Sequence, residues 1–292
     1  MKILLTGGAG DLGQAVSWDL VARGDTPLRL DLRPPIDDHG VYLAGSILDR
    51  DFLERSLAGV AVVVHIAAWH GFHELHGLKN VFEFWDLNVT GTFYVFECAV
   101  RAGVNKVVFI SSTSIEEQDS IYGHTKILGE AIARSYANRH QIDVITLRPR
   151  AFIPPWNKTV YRDYLEWAAW FWPGAVHITD VSQAVVKSID LLAKGSLPEY
   201  LELTVDGAYD FTDEELDVWD RDGPGTSFQR AYPQYINLAR RFGLDLTVKP
   251  EKRDISATRD WLGYEPRYSL RNLLEDLERY GSSGPPNPYL YA

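Results

Sequence analysis

The sequence predicts an α/β protein with a doubly wound parallel sheet of the Rossmann type and a small C-terminal substrate lobe. Short runs rich in β-branched residues alternate with segments of helical periodicity, which is the order of repeated βαβ units. In addition, the first predicted strand runs directly into a glycine-rich turn, Gly7 to Gly13, that opens a helix. Both features are typical of dinucleotide-binding folds.

Six predicted strands are apolar on both faces, as buried parallel strands are. They are residues 2–6, 27–31, 41–44, 60–65, 106–111 and 142–147. Helical periodicity with a polar face predicts the intervening helices at 11–23, 50–57, 81–101 and 120–139. We therefore expect a dinucleotide-binding domain over residues 1–149.

The pattern changes after Pro149, where a segment rich in proline and tryptophan begins. A mixed region containing the small substrate lobe is predicted over 150–292, with one helix at about 180–193 returning to the Rossmann core. Further strand-like or helical pieces are predicted at 200–205, 232–242 and 270–280, and the tail 281–292 as an irregular arm. The sequence assigns no role to residues 206–245.

The charge balance disfavours two classes of partner. The 292 residues include 29 Lys and Arg against 40 Asp and Glu, a net charge of −11, so the average surface repels nucleic acid and anionic membranes. The single cysteine, Cys98, fits a reducing compartment. Because the N-terminal apolar run is too short for a secretory signal and no 18-residue apolar stretch occurs, the cytoplasm is the expected location.

The glycine-rich turn predicts a site for a pyrophosphate. Bare backbone approaches the phosphates closely, while the helix N-terminus supplies N–H donors and positive potential. Gly8, Gly10 and Gly13 satisfy the dinucleotide fingerprint. The residues expected to line the pyrophosphate are Gly7, Gly10, Asp11, Leu12 and Gly13.

Asp31 ends the second predicted strand, 18 residues beyond Gly13. That spacing is close to the one at which a carboxylate reaches the adenosine ribose hydroxyls, which favours NAD over NADP. Arg33, two positions later, is the alternative: turned inward it would face a 2′-phosphate, and turned outward it is a solvated loop arginine.

Tyr122 and Lys126 stand four residues apart on one face of a predicted helix. By itself such a pair is more often a surface contact. The preceding strand, however, ends in Ser111, Ser112 and Thr113 at the carboxyl edge of the sheet, where ligands bind in such folds. Hydroxyl, phenol and amine then converge in a manner suited to acid/base chemistry.

These motifs together resemble the extended short-chain dehydrogenase/reductase family, also described as NAD-dependent epimerase/dehydratase. The resemblance spans about residues 2–193. It rests on the turn from Thr6 to Gly13, the run His65–Ala68, the helix segment Asn88–Thr92, Ser111–Thr113, Tyr122–Lys126, Leu147–Pro149 and Val176–Val181.

The resemblance implies roles for individual residues. Tyr122 would be the acid/base, Lys126 would hold the nicotinamide ribose and lower the tyrosine pKa, and Thr113 or Ser112 would hydrogen-bond the reacting oxygen. Further residues placed by it around the cofactor are Ser46, Ile47, Ala67, Ala68, Asn88 and Ser111. A homodimer through the helices 81–101 and 120–139 is also implied.

Two departures from the family bear on the substrate. Only nine positions separate Thr113 from Tyr122, so the pocket is more open there or is covered by another segment. The stretch 150–176 is far shorter than the segment that clamps a nucleoside diphosphate in nucleotide-sugar epimerases. The compact lobe is faintly similar to that of uronate and related sugar dehydrogenases.

Substrate contacts are predicted from polar residues near this pocket. Arg150 and Arg162 are candidates for binding a substrate carboxylate, and His70 and His73 for donating hydrogen bonds from the pocket wall. His65, His70, His73 and His76 also suggest a zinc site, but no carboxylate or thiolate lies at a matching spacing, so no metal is expected.

The sequence therefore predicts an NAD-dependent oxidoreductase acting on a hydroxyl or carbonyl of a small, polar, sugar-like substrate. The first alternative is an NAD-dependent sugar epimerase or dehydratase that retains its cofactor through the reaction. The second is a non-catalytic dinucleotide sensor, against which the intact hydroxyl, tyrosine and lysine set argues.

Overall fold

The computed structural model describes residues 1–117, 119–195, 197, 200–219 and 225–289. These residues form a seven-stranded sheet in the order β3-β2-β1-β4-β5-β6-β7, in which all neighbouring strands are parallel. The strands are β1 (Lys2–Thr6), β2 (Thr26–Asp31), β3 (Val41–Ala44), β4 (Val62–His65), β5 (Lys106–Ile110), β6 (Asp143–Pro149) and β7 (Leu201–Val205). The predicted doubly wound sheet is confirmed, with the ends of each predicted strand within two residues of the observed ones.

Helices connect the strands on both faces of the sheet. In the first part of the chain they are α1 (Asp11–Ala22), α2 (Arg50–Ser56), α3 (Gly71–Leu75), α4 (Val81–Phe84), α5 (Thr92–Arg101) and α6 (Ile121–His140). Later in the chain follow α7 (Tyr164–Phe171), α8 (Ile178–Lys194), α9 (Asp213–Asp217), α10 (Thr226–Ala231), α11 (Ile236–Arg241), α12 (Ser256–Leu262) and α13 (Leu270–Tyr280). No helix among the described residues is both long and apolar enough to cross a membrane.

The predicted helix 81–101 is interrupted. A π-helical segment, Trp85–Gly91, separates α4 from α5. Such widened turns occur frequently at functional sites. Asn88 lies in its middle with a buried side chain.

The region after Pro149 contributes more to the sheet than the one returning helix that was predicted. Helix α8 does pack beside α1, as expected, and its buried face includes Val181 and Val185. Strand β7 also pairs with β6 and extends the sheet by one strand. The domain boundary between residues 149 and 150 remains a prediction. The sheet itself continues across this boundary, since β7 pairs with β6.

A separate hydrophobic cluster forms the core of the C-terminal lobe. Its buried members include Trp167, Trp172, Trp219, Phe228, Tyr232, Leu273 and Leu277. Many of its residues come from the segment 206–245, for which no role was predicted. That segment therefore supplies much of the hydrophobic core of the lobe. Two other hydrophobic clusters line the faces of the sheet.

Candidate active site

The glycine-rich turn joins β1 to α1 at the carboxyl edge of the sheet. Gly7 has a φ of +68°, a left-handed conformation that favours glycine. A Cβ on Gly13 would lie 2.6 Å from the carbonyl oxygen of Gly7, so the turn lies against α1 only because that atom is absent. Gly10 is the N-cap of α1 and has no side chain to cap it. The first-turn amides of α1 therefore form a cradle that fits the pyrophosphate of a dinucleotide.

Asp11 and Leu12 have side chains that point away from this cradle. The Asp11 carboxylate accepts a hydrogen bond from the Asn157 side chain at 2.7 Å, and burial raises the pKa of Asp11. Leu12 is buried in the core beneath the sheet. Each of these predicted cofactor residues thus offers its backbone amide rather than its side chain.

Sequence reasoning missed a buried arginine beneath the turn. Arg29 in β2 is fully buried and donates from Nε to the carbonyl oxygen of Gly8 at 2.7 Å. Its Nη1 pairs with the Asp37 carboxylate, which also accepts a hydrogen bond from the Gln14 side chain at 3.1 Å. The signal in the sequence is a charged side chain between Leu28 and Leu30 in a predicted buried strand. The turn therefore rests on a buried ion pair.

Asp31 ends β2 beside the turn, as the spacing predicted. Its Oδ2 accepts a hydrogen bond from the amide of Ala9 at 3.1 Å, and its Oδ1 accepts one from the amide of Arg33 at 3.2 Å. The Arg33 side chain is exposed. The carboxylate is thus held next to the pyrophosphate cradle, in a position that fits a ribose diol.

Ser46 and Ile47, which the resemblance places around the cofactor, follow β3. The Ser46 hydroxyl accepts a hydrogen bond from the amide of Leu48 at 3.1 Å. The Ile47 side chain is buried in the hydrophobic core, where a Cβ on Gly91 would contact it. Ile47 therefore contributes to packing through its side chain.

The loop after β4 lies directly against the glycine turn. Thr6 Oγ1 accepts hydrogen bonds from the amides of Ile66 at 3.1 Å and Ala67 at 3.2 Å. A Cβ on Gly7 would lie 2.9 Å from the Ala67 nitrogen. Ala67, with Ala68 after it, is therefore part of the wall beside the cradle.

Asn88 ties this loop to the helix that carries Tyr122. Its side chain accepts a hydrogen bond from the Trp69 amide and donates one to the Trp69 carbonyl, each at 2.8 Å. It also donates to Thr125 Oγ1 at 3.0 Å. Through these contacts Asn88 holds the loop after β4 against the helix that carries Tyr122.

Tyr122, Lys126 and Ser112 converge at the carboxyl ends of β5 and β6. The Ser112 side chain lies close enough to the Tyr122 hydroxyl to influence the pKa of the phenol. Lys126 Nζ donates to the carbonyl oxygen of Ile110 at 2.7 Å and lies 5.8 Å from the centre of the Tyr122 ring. Thr113 begins the 3-10 turn Thr113–Glu116. Of the two hydroxyls left open by the sequence, that of Ser112 is the one that acts on the phenol.

The protonation states differ from the expectation that Lys126 lowers the tyrosine pKa. Burial raises the pKa of Tyr122 to about 12, although the Ser112 side chain opposes the rise. Burial also lowers the pKa of Lys126 to about 7, against the opposing effect of the Glu130 carboxylate. In the protein alone the phenol is therefore protonated at neutral pH, and Lys126 is only partly charged.

Ser111, predicted beside the cofactor, has its hydroxyl directed elsewhere. Its Oγ donates to Glu130 at 2.6 Å in the buried interior. Glu130 in turn pairs with Arg148 at 2.6 Å. The Ser111 side chain therefore belongs to a buried network between β6 and α6.

His70 lies immediately before the short helix α3, and His73 lies within it. This helix was not predicted from the sequence. Their ring centres are 4.3 Å apart, and His73 Nδ1 accepts a hydrogen bond from the His70 amide at 3.2 Å. Burial, with smaller effects of His73 and Lys126, lowers the pKa of His70 to about 4. His70 is therefore close enough to Lys126 to be affected by its charge, and it is neutral at neutral pH.

Glu74, another residue that sequence reasoning missed, connects α3 to α6. Its carboxylate accepts hydrogen bonds from the Ser120 hydroxyl at 2.9 Å, the Ile121 amide at 2.7 Å and the Tyr122 amide at 2.8 Å. Although burial alone would raise it, these hydrogen bonds hold the pKa of Glu74 below its usual value. A carboxylate at a helix N-terminus is favourable because it satisfies amides that have no partner within the helix.

Arg150 and Arg162, predicted to bind a substrate carboxylate, are both paired within the protein. Arg150 has a mostly buried side chain that lies 3.1 Å from Glu251 and 3.8 Å from Asp206. Arg162 is 87% exposed and pairs with Glu166 at 3.2 Å. Substrate binding by these two residues stays a prediction, although both guanidinium groups have carboxylate partners within the protein.

The histidines do not form a metal centre. His65 is buried between Thr6 and Thr92, with ring-to-hydroxyl distances of 2.7 and 2.9 Å, and burial lowers its pKa to about 3. It is a neutral structural residue. Among the described residues no group of His, Cys, Asp or Glu is arranged to hold a metal ion.

Comparisons with known proteins agree with this geometry. The family model of the NAD dependent epimerase/dehydratase family matches residues 3–164. The uronate dehydrogenase of Pseudomonas syringae pv. tomato is 28% identical over 187 residues, which cover 56% of this chain and 64% of that protein. The L-arabinose 1-dehydrogenase (NAD(P)(+)) of Haloferax volcanii is 28% identical over 179 residues, which cover 50% of this chain and 65% of that protein. The matched part is thus less than two thirds of the length of each relative.

The fold resembles that of a solved sugar-nucleotide enzyme. The structure of UDP-glucuronic acid 4-epimerase from Bacillus cereus, in complex with UDP-glucuronic acid and NAD, superposes with a TM-score of 0.69. The match covers 94% of this chain and 97% of that chain at 19% identity. This similarity supports the Rossmann-like architecture.

Proposed function

The chain belongs to the NAD dependent epimerase/dehydratase family, and we propose that it is an NAD-dependent oxidoreductase acting on a hydroxyl or carbonyl of a small sugar-like substrate. One observation carries the proposal. A phenol, a serine hydroxyl and a lysine amine converge at the edge of the sheet where the glycine cradle also lies. A site that only bound a dinucleotide would have no need of the phenol and the serine.

In this proposal Tyr122 moves the proton and Ser112 holds the reacting oxygen. Support for choosing Ser112 over Thr113 is that the Ser112 side chain is the one that acts on the pKa of the Tyr122 phenol. Because burial keeps the phenol protonated, Tyr122 is ready to donate a proton to a carbonyl oxygen. In the oxidising direction the same residue must first lose its proton, which requires an additional positive charge near the phenol.

The cradle, Asp31 and Lys126 would hold NAD. The α1 amides would bind the pyrophosphate, and the Asp31 carboxylate would accept hydrogen bonds from the adenosine ribose. Lys126 Nζ would donate a hydrogen bond to a hydroxyl of the nicotinamide ribose. When bound, NAD would supply the acceptor or donor of the hydride. The Asp31 carboxylate would repel a 2′-phosphate, so NAD is preferred over NADP in this proposal.

The substrate is proposed to be small, polar and free of a nucleotide. Only residues 150–177 separate β6 from the start of α8, and α7 within this stretch is packed into the core of the lobe through Trp167 and Phe171. His70 and His73 are proposed to donate hydrogen bonds to it, because they lie on the loop beside Tyr122.

The experiment that tests this function is to denature the purified protein and identify any released nucleotide by mass spectrometry. An empty protein that binds added NAD and reduces it in the presence of a sugar or uronate would support the dehydrogenase proposal. Near-stoichiometric NAD would instead favour a sugar epimerase or dehydratase that retains its cofactor. Release of NADP would contradict the role of Asp31, and failure to bind either nucleotide would overturn the proposal.

A homodimer is proposed through the surface formed by α4, the π-helical segment, α5 and α6. This surface exposes large apolar side chains, namely Val81, Phe82, Trp85, Phe93 and Ile127. A groove of about 400 Å³ lies between the π-helical segment and α5 on one side and α6 on the other, and its lining includes Trp85, Phe93 and Leu128. Apolar patches of this kind on a protein surface are typical of interfaces, and a second copy of the chain presents the same patch.

Replacing Trp85 with glutamate is expected to convert this dimer to monomers of 33.0 kDa, because it places a charge in the middle of the apolar surface. Light scattering coupled to size-exclusion chromatography measures the mass. Trp261→Glu is the matched control, since Trp261 is exposed on α12, outside this surface, and that variant should keep the wild-type mass. A monomeric wild-type protein, or an unchanged mass for Trp85→Glu, would contradict the proposed interface.

We also propose a reducing compartment, the cytoplasm, as the site of action. Cys98 is buried and free, and burial raises the pKa of its thiol to about 11. Such a thiol has little tendency to form a disulfide.

A further inference from the structure

The N-terminus of α6, where Tyr122 is located, is held from two sides. On one side the 3-10 turn Thr113–Glu116 packs so closely that a Cβ on Gly123 would lie 2.2 Å from the carbonyl oxygen of Ser114. On the other side lies α3, and a Cβ on Gly71 would lie 3.5 Å from Cδ1 of the Tyr122 ring. The phenol ring is therefore placed between two short elements.

The connection between Thr113 and Tyr122 is only eight residues long, 114–121. Helix α3, which comes from the loop after β4, covers the opposite side of the N-terminus of α6. The contact is made by the Glu74 carboxylate: Oε1 accepts from the Ile121 amide, and Oε2 accepts from both the Tyr122 amide and the Ser120 hydroxyl. Two of the three donors are thus backbone amides at the start of α6.

Core packing does not hold α3 in this place. Among its five residues none has a buried side chain, and Leu75 is 81% exposed. The segment is anchored upstream by the Asn88 side chain, which is hydrogen-bonded to both backbone groups of Trp69. The Glu74 carboxylate supplies a second anchor, because it accepts hydrogen bonds from the start of α6. A helix this short is not stable alone, so its position depends on such contacts.

We propose that Glu74 is a positioning residue, whose carboxylate fastens α3 to the N-terminus of α6 and thereby fixes the Tyr122 ring beside the loop that carries His70. The proposal rests on the proposed function for its catalytic consequence. The fastening itself is a structural property and is testable without turnover. Misplacement of an acid/base by a fraction of an ångström lowers the rate of proton transfer strongly, so loss of the carboxylate should reduce kcat through Tyr122.

Hydrogen exchange tests the fastening directly. In Glu74→Ala the amides of Ile121 and Tyr122 lose their acceptor, and we expect them to exchange about tenfold faster or more, together with the amides of α3. Glu74→Gln keeps the shape and one oxygen, so its effect should be intermediate. The matched control is Glu83→Gln, because Glu83 accepts a hydrogen bond from the Asn80 amide at 3.0 Å within its own helix and should leave α6 unchanged. Unchanged exchange at Ile121 and Tyr122 in Glu74→Ala would overturn the proposal.

Kinetics test the consequence for Tyr122. In the wild-type background Glu74→Ala is expected to lower kcat about tenfold while the Kd for NAD stays within about twofold. In a Tyr122→Phe background the same substitution should change kcat by less than about twofold, because the residue through which it acts is already absent. Equal losses in both backgrounds would show that Glu74 acts on the structure in general, and would overturn the positioning role.

The two proposals fail in different ways. If the wild-type protein turns over no sugar or uronate, the proposed function fails, and hydrogen exchange alone decides whether Glu74 fastens α3. If the wild-type protein is active but exchange and kcat are both unaffected in Glu74→Ala, the positioning role fails while the proposed function stands.

Discussion

Tyr122→Phe is expected to lower kcat by about 10²- to 10⁴-fold, the range typical for removal of a general acid or base. The phenylalanine ring keeps the contact with Gly71 and the packing between α3 and the 3-10 turn. What it removes is the hydroxyl that lies beside the Ser112 side chain. The measurement is steady-state kinetics on whichever sugar or uronate the wild-type protein oxidises, together with the Kd for NAD.

The Kd for NAD should stay within about twofold of the wild-type value, because the cradle and Asp31 are unchanged. Tyr94→Phe is the matched control: Tyr94 is a half-buried tyrosine on α5 whose ring contacts Arg50, away from the cradle, and its loss of a hydroxyl should leave kcat unchanged. If Tyr122→Phe retained kcat within about tenfold of wild type, the assignment of Tyr122 as the acid/base would be wrong.

Much of the fold was predictable because its signals are local. Strands such as β4 and β5 are short apolar runs, and α1 and α6 carry clear helical periodicity, so their order predicts βαβ units and the parallel sheet. Helix α3 lacked such a signal, since it has five residues and no buried face. The membership of β7 in the sheet also depended on a pairing with β6 that lies more than fifty residues away.

The site was predictable to the same extent. Gly13, Asp31, Tyr122 and Lys126 are set by spacing along one or two elements, and the structure brings them to one edge of the sheet. Partners distant in sequence were not predictable. The Arg150 guanidinium pairs with Glu251, 101 residues along the chain, and the Glu74 carboxylate accepts hydrogen bonds from donors 46 to 48 residues away.

Asp37→Ala is expected to lower the free energy of unfolding by about 3–5 kcal/mol, the cost of breaking a buried ion pair by removing one partner. It leaves the Arg29 guanidinium charged and fully buried beneath the glycine turn. Urea denaturation gives the free energy, and the Kd for NAD should rise as well, because Arg29 holds the carbonyl of Gly8. Asp38→Ala, at the exposed neighbouring position, is the matched control and should cost less than about 0.5 kcal/mol.

Asp37→Ala lowers the free energy of unfolding because it leaves a buried charge unpaired, and not because it shortens a side chain. Replacing both partners, as in Arg29→Met with Asp37→Leu, should recover most of the loss, because no unpaired charge then remains buried. Although burial alone would raise it, the hydrogen bond and charge of Arg29 hold the pKa of Asp37 below its usual value. The stability that this pair contributes is therefore present above about pH 4 and is lost as the pH falls through the folded-state pKa. A wild-type protein whose stability below pH 4 falls no more steeply than that of the double variant would contradict this account, as would a loss below about 1 kcal/mol for Asp37→Ala.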